Sequence, residues 1–340
     1  MNALIFVGLG LAWGSSFYWI KIALGEVNPA TLVALRISFA ALTMLVLAVP
    51  LKIRLKFPLR EWKYSAALSL LNPVLPFYLI SWAETVIPSS IASLINGMVA
   101  IATMILAFFF LEDEKINRFG VFGILLGFSG VAVLMSPGLN QGIGNALGFV
   151  AMIVAVFSYA GSTVFIKKKM SHLPPRSLTA MMMITGALWV GIIPFLIGEK
   201  LMLPQLGRTW FALGWMGILG TALAFLVYFK LLKEWGATKA SLVNYLLPMT
   251  GMFLGVVFLK EPMNIELGIG SALILFGVYL VKTRGMVLVK ATVLPPPFIR
   301  KVVPPVFRHD VCISEISHYQ LPSFAKKHKL NDASKNSQAG

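Results

Sequence analysis

The chain has 340 residues, 58% of them hydrophobic and only 12% charged, with a mean hydropathy of +0.82. A soluble protein of this length could not bury that much apolar surface, and many apolar runs approach the length of a bilayer crossing, so the composition describes a polytopic membrane protein. The net charge of +16 would suggest nucleic acid in a soluble protein. Here the basic residues sit mostly in short loops and the tail, where topology and anionic lipid account for them.

In chain order, the first expected span covers residues 2–24. It lacks a basic leader region and is long enough to be an uncleaved helix. Pro29 closes a turn, and 30–50 forms the second span. Lys52, Arg54, Lys56, Arg60 and Lys63 then make the densest basic loop. The third span, 64–82, is interrupted by Asn72-Pro73 and Pro76. The fourth covers 88–111 and the fifth 119–135, and an uncharged Pro/Gly/Asn loop over 136–145 separates the halves. Spans recur near 146–167, 176–197, 209–231, 240–259 and 265–283. The expected fold is therefore all-α, an integral membrane protein of ten transmembrane helices, five in each of the units 1–137 and 145–284. From 285 onward, prolines, scattered basic residues and a polar end describe a segment without a core, read as a disordered cytoplasmic tail over 285–340.

The two halves are related in sequence. Ala92-Ser93-Leu94-Ile95-Asn96 returns as Ala240-Ser241-Leu242-Val243-Asn244, and Glu114-Lys115-Ile116-Asn117 returns as Glu261-Pro262-Met263-Asn264. Gly123 and Gly130 likewise return as Gly270 and Gly277. Such long-period self-similarity marks a duplicated unit. Loops on the side of 52–63 carry fourteen Lys and Arg against four opposite (Lys21, Lys200, Arg208 and Lys260). That asymmetry places the 52–63 side, with both termini, in the cytoplasm. An odd number of spans per half inserts the second half upside down. Repeat and opposite insertion together predict an inverted-topology transporter with its site between the repeats near mid-membrane.

Trp13, Ser15 and Ser16, halfway along the first span, align with Tyr159 and Ser162 halfway along the sixth. Ring faces and hydroxyls at equal depth suit a binding site, and they equally suit close helix packing. Asn72, Asn96 and Asn244 are amides at membrane depth that must face the bundle interior or a wet cavity. Interhelical bonding and substrate contact are both open to them. Tyr78 and Tyr245 complete the set expected to line a central cavity, where rings would hold an apolar body or an amine and polar groups would orient it. Pro73, Pro76 and Pro248 are expected to kink their helices and serve structure or gating; the first-half counterpart of Pro248 is Ala100. Arg36 is the one charge well inside a span, roughly 9 Å deep. It calls for a partner, and Glu84 is the nearest plausible carboxylate, giving an expected structural or gating pair.

No Asp or Glu falls in the middle of a span. Cys312 is the sole cysteine, and the four histidines, His172, His309, His318 and His328, lie in loops or the tail. With no phosphate-binding loop, catalytic set or metal-ligand cluster, neither an enzyme nor a cofactor or metal is expected.

Taken together, Trp13-Gly14-Ser15-Ser16-Phe17 with Lys21, the Pro29 turn before Leu35-Arg36, the two Ala-Ser-Leu-x-Asn segments and the Leu259-x-Glu261 break resemble the EamA branch of the drug/metabolite transporter superfamily over about residues 2–284. The resemblance implies ten helices with cytoplasmic termini, a central cavity, and movement of small metabolites across the cell membrane, often outward. Amino acids and their derivatives are common cargo. The departures are Ala100, where the repeat usually carries proline, Glu112-Asp113-Glu114, where Leu-Gly-Glu is usual, and the tail. The expectation is thus an alternating-access exporter with a small-molecule metabolite and the lipid bilayer as partners, and no nucleic acid. A non-transporting accessory protein and a passive facilitator are the competing readings; proton coupling and oligomeric state stay open.

Overall fold

The structure is a computed structural model that describes residues 2–111, 114–137, 143–196, 198–228, 231, 243–281, 283 and 286–288. The side chains of 2–6, 114–115, 244–245 and 286–288 also lie outside the described set. Candidates Asn244 and Tyr245 are therefore placed by backbone alone, and the tail from 289 onward is outside the described residues.

Helices dominate. They are α1 (Asn2–Leu24), α2 (Pro29–Ala48), α3 (Leu59–Ser69), α4 (Leu75–Ala83), α5 (Ser89–Asn96), α6 (Val99–Phe110) and α7 (Arg118–Met135). In the second half come α8 (Ile143–Phe165), α9 (Pro175–Leu196), α10 (Gly207–Gly214), α11 (Val243–Phe258) and α12 (Ile265–Leu280). Wider helical turns continue α8 through Met170 and α10 through Leu223. Seven of the described helical segments are long and apolar enough to cross a membrane: 29–48, 59–83, 89–110, 118–135, 143–170, 175–196 and 207–228. Strands β1 (Glu114–Ile116) and β2 (Met286–Leu288) pair antiparallel, Glu114 opposite Leu288. The tail that composition begins at 285 thus starts with a short strand on the first half.

The chain is inside-out relative to a soluble fold. Phe109, Phe195, Leu42, Leu188 and many other large apolar side chains face outward, while Arg36, Asn72, Glu84, Ser162 and Thr221 are buried. Apolar outside and polar within is what a hydrocarbon solvent selects. This is a multi-pass membrane protein.

The repeated sequence elements explain several helix starts. Asn117 and Asn264, equivalent in the two halves, are the N-caps of α7 and α12. Asn117 accepts from the N–H groups of Phe119 and Gly120 at 3.0 Å, and Asn264 from Leu267 at 3.1 Å. Each fills donors that a helix start leaves unpaired. The glycines beyond them let α7 and α12 touch backbone to backbone. A Cβ added at Gly123 would lie 2.7 Å from the Gly277 carbonyl oxygen, and one at Gly130 would lie 2.8 Å from that of Gly270. No side chain fits there, which is the use membrane helices make of small residues. Elsewhere α1 packs on α11, α8 on α6 and α2 on α9.

Between α3 and α4 the helix breaks. Asn72 is extended (φ −164°, ψ 110°), followed by Pro73 and, one residue into α4, Pro76. Prolines remove donors and strand carbonyls. Ser158 of α8 answers this by donating its hydroxyl to the Leu71 carbonyl at 2.8 Å.

Candidate functional site

The break aims the Asn72 side chain at α8. Its Nδ2 donates to Ser162 Oγ at 3.2 Å, and Ser162 donates in turn to the Tyr159 carbonyl at 2.7 Å. The other amide atom, Asn72 Oδ1, is buried and has no partner among the described residues. Three sequence candidates, Asn72, Tyr159 and Ser162, are therefore brought together, with Pro73 and Pro76 shaping the break beside them.

Arg36 on α2 does not make its expected pairing with Glu84. The guanidinium lies over the Phe77 ring, 3.7 Å from its centroid, and its Nε donates to Thr221 Oγ1 at 3.1 Å. Thr221 uses its own hydrogen on the Met216 carbonyl at 2.8 Å, which turns its oxygen toward the arginine. Nη1 reaches only the Met216 sulfur at 3.9 Å. No carboxylate stands within ion-pairing distance of Arg36 among the described residues. The reason is geometric: α2 faces the widened 215–223 segment and the first turn of α4, while Glu84 lies past the far end of α4. Phe77 and Thr221 carried no sequence signal of their own. The one hint was Gly220-Thr221, which sits opposite Asn72-Pro73 in the repeat.

The first-span candidates form a separate group. Trp215 Nε1 donates to Ser15 Oγ at 3.1 Å, and Ser16 bonds the Ala12 carbonyl of its own helix at 3.2 Å. A Cβ at Gly220 would sit 3.1 Å from Ser16 Oγ, so α1 and the 215–223 segment are in close contact. Trp13 packs edge-on against Phe225 (5.8 Å) and tilted on Tyr228 (5.3 Å). Asn96 has a buried, unpartnered Oδ1 near the crossing where Pro248 packs on Gly97.

Tyr78 is drawn away from Asn72. Its hydroxyl donates to Glu199 Oε1 at 2.6 Å, one of several ties at the end of the bundle that carries Lys21. There Glu261 accepts from Ser89 N (2.7 Å), Ser89 Oγ (2.8 Å) and Ser90 N (2.9 Å), fastening the second half to the start of α5. Glu26, between α1 and α2, accepts from the backbone N–H of Gln205, from that of Leu206 at 3.0 Å, and from the Thr209 hydroxyl. The Thr209 hydrogen bond, aided by those amides and by Arg208, holds the Glu26 carboxyl below the usual range despite partial desolvation. Sequence reasoning missed Glu26, Glu199 and Glu261 as latches because each acts on residues far away in the chain.

Among the described residues, two cavities stand out. One of about 140 Å³ lies at the Lys21 end, between 86–91, Asn145, Phe149 and Pro262–Leu267. The other, about 60 Å³ and apolar, touches Tyr78, Val74 and Val190. Neither is lined by the Asn72 cluster.

An outward apolar shell, helices long enough to cross a bilayer and buried polar side chains between them define a multi-pass membrane protein. Its class is a membrane transporter. The chain belongs to the EamA-like transporter family, whose profile matches residues 1–136 and 146–283. An uncharacterized transporter of Archaeoglobus fulgidus is 27% identical over 272 residues, covering 79% of this chain and 94% of its own. An Escherichia coli K12 protein named "Probable amino-acid metabolite efflux pump" is 27% identical over 280 residues, covering 79% of this chain and 91% of its own. A solved crystal structure superposes with a TM-score of 0.61 at 20% identity, covering 82% of this chain and 96% of that one, and so shares the fold.

Proposed function

We propose that this transporter exports zwitterionic metabolites, amino acids or their derivatives, across the cell membrane by alternating access. Ten spans would be arranged as two inverted repeats, 1–137 and 145–284, with both termini in the cytoplasm. The reciprocal contacts of α7 and α12 support the inversion. Gly123 meets Gly277 while its counterpart Gly270 meets Gly130, the exchange a two-fold axis produces.

The observation that carries the cargo class is Arg36: a buried guanidinium with no carboxylate within ion-pairing distance among the described residues, on a helix that also packs on the break where Asn72 Oδ1 is left without a partner. A cargo carboxylate would supply the missing counter-charge, Asn72 Oδ1 would accept from a cargo ammonium, and Phe77 would face its apolar part. The E. coli relative's name points to the same chemistry. The test is counterflow of a radiolabelled amino-acid panel in proteoliposomes. Wild type should exchange at least one amino acid and Arg36→Ala should lose that exchange; flux limited to sugar phosphates or nucleotides would sink the reading.

The tight seat of Ser16 against Gly220 favours one second reading, an accessory protein whose centre stays closed. Ser16→Trp separates the two. It blocks flux if that contact must open during transport and changes nothing if the protein does not transport.

A further inference from the structure

Glu84 stands just past the end of α4, is fully buried, and has no hydrogen-bond partner for either carboxylate oxygen among the described residues. The charged groups facing it come from three elements: Lys21 on α1, Arg36 on α2 and Glu261 in the segment before α12. None of them hydrogen-bonds the Glu84 carboxylate. Lys21 Nζ donates to the backbone carbonyls of Glu84 (2.5 Å) and Ile87 (3.2 Å), holding the turn without bonding the carboxylate. Glu261 is filled by Ser89 and Ser90, and Arg36 bonds Thr221 and lies over the Phe77 ring.

A buried carboxyl must be hydrogen-bonded, paired or neutral. With no donor in place, neutrality is the arrangement this geometry can hold. Residues 86–91, directly after Glu84, form one wall of the 140 Å³ cavity, whose other walls carry Asn145, Asn264 and Glu266. The wall of that cavity begins at Val86, two residues beyond Glu84 in the chain.

We propose that Glu84 is the proton-carrying group of the transport cycle. A proton taken up through this cavity neutralises the carboxylate and lets the Lys21 end close over it in the empty carrier. On the opposite leg, cargo seated between Arg36 and Asn72 opens the Lys21 end and the carboxyl returns its proton to water, so proton and cargo alternate. No bond other than O–H is made or broken, and the proton is exchanged with water on either side. This second leg rests on the cargo reading above; the proton site itself does not.

Full-length protein in liposomes provides two measurements. In infrared difference spectra, wild type should show the C=O stretch of a protonated carboxylic acid at neutral pH, and Glu84→Gln should lack it; identical spectra overturn the proposal whatever the cargo. With membrane potential clamped and a gradient of about one pH unit, wild type should accumulate the exchanged amino acid about tenfold in the acidic lumen at one proton per cargo. Glu84→Gln should reach only parity by downhill flux, and Glu84→Asp should restore accumulation. Undiminished accumulation by Glu84→Gln overturns the proposal. If wild type moves no amino acid, the cargo reading fails, and the infrared comparison alone decides Glu84.

Discussion

Replacing Glu261 with alanine tests the tie between the second half and the start of α5. The carboxylate accepts two backbone N–H groups and one hydroxyl at 2.7–2.9 Å. Each charge-assisted bond is worth roughly 1.5–3 kcal/mol when fully buried. The site is only half-buried, so water recovers part of the loss, and the bonds share one acceptor group and do not add. A net cost of about 2 kcal/mol in local opening follows, or about 30-fold in the opening equilibrium. Hydrogen exchange of the amides over 89–92 should therefore quicken by about that factor in Glu261→Ala. Glu261→Gln, which keeps one acceptor oxygen, should fall between it and wild type. Exchange within about twofold of wild type in the alanine variant would show that the three bonds do not hold α5.

Gly123→Leu and Gly277→Leu should each yield little monodisperse protein, because the new Cβ lies 2.6–2.7 Å from a carbonyl oxygen of the facing helix and backbones must part, at about 1–3 kcal/mol or more. Gly191→Ala, with nothing within 4 Å of its new Cβ, should purify and melt like wild type or up to about 1 kcal/mol better; size-exclusion profiles and melting temperature check both. Glu26 supplies a pH dependence. Its folded-state carboxyl is held below the usual range, first by Thr209, so its latch on 205–209 is at full strength above the unfolded carboxyl's pKa of about 4.3 and is lost as pH falls through the lower folded value. Amide exchange at Gln205 and Leu206, corrected for intrinsic pH dependence, should stay protected at neutral pH and open only in acid, and Glu26→Gln should abolish that pH dependence.

The helical class, most helix positions and the relation of the halves were legible because they depend on local sequence: apolar length, capping asparagines at 117 and 264, and glycine spacing. Asn72 was readable as a break for the same reason, since a proline follows it. Arg36 was readable as a site but not its partners. Choosing Glu84 assumed that the nearest carboxylate along the spans is nearest in space, whereas the packing of α2 on 215–223 gave Thr221 and its packing on α4 gave Phe77. The Tyr78 hydroxyl turns to Glu199, in a loop that periodicity does not place.

The crossed contacts of α7 and α12 also bear on how the two halves tolerate change. Were the halves separate identical chains, one substitution at the position of Gly123 would strike both contacts of the interface at once. Joined in a single chain, the same change strikes one contact and leaves its twin at Gly270 intact. Fusion thereby halves the penalty of every trial, and differences such as Ala100 against Pro248 become affordable around a seam that itself stays paired.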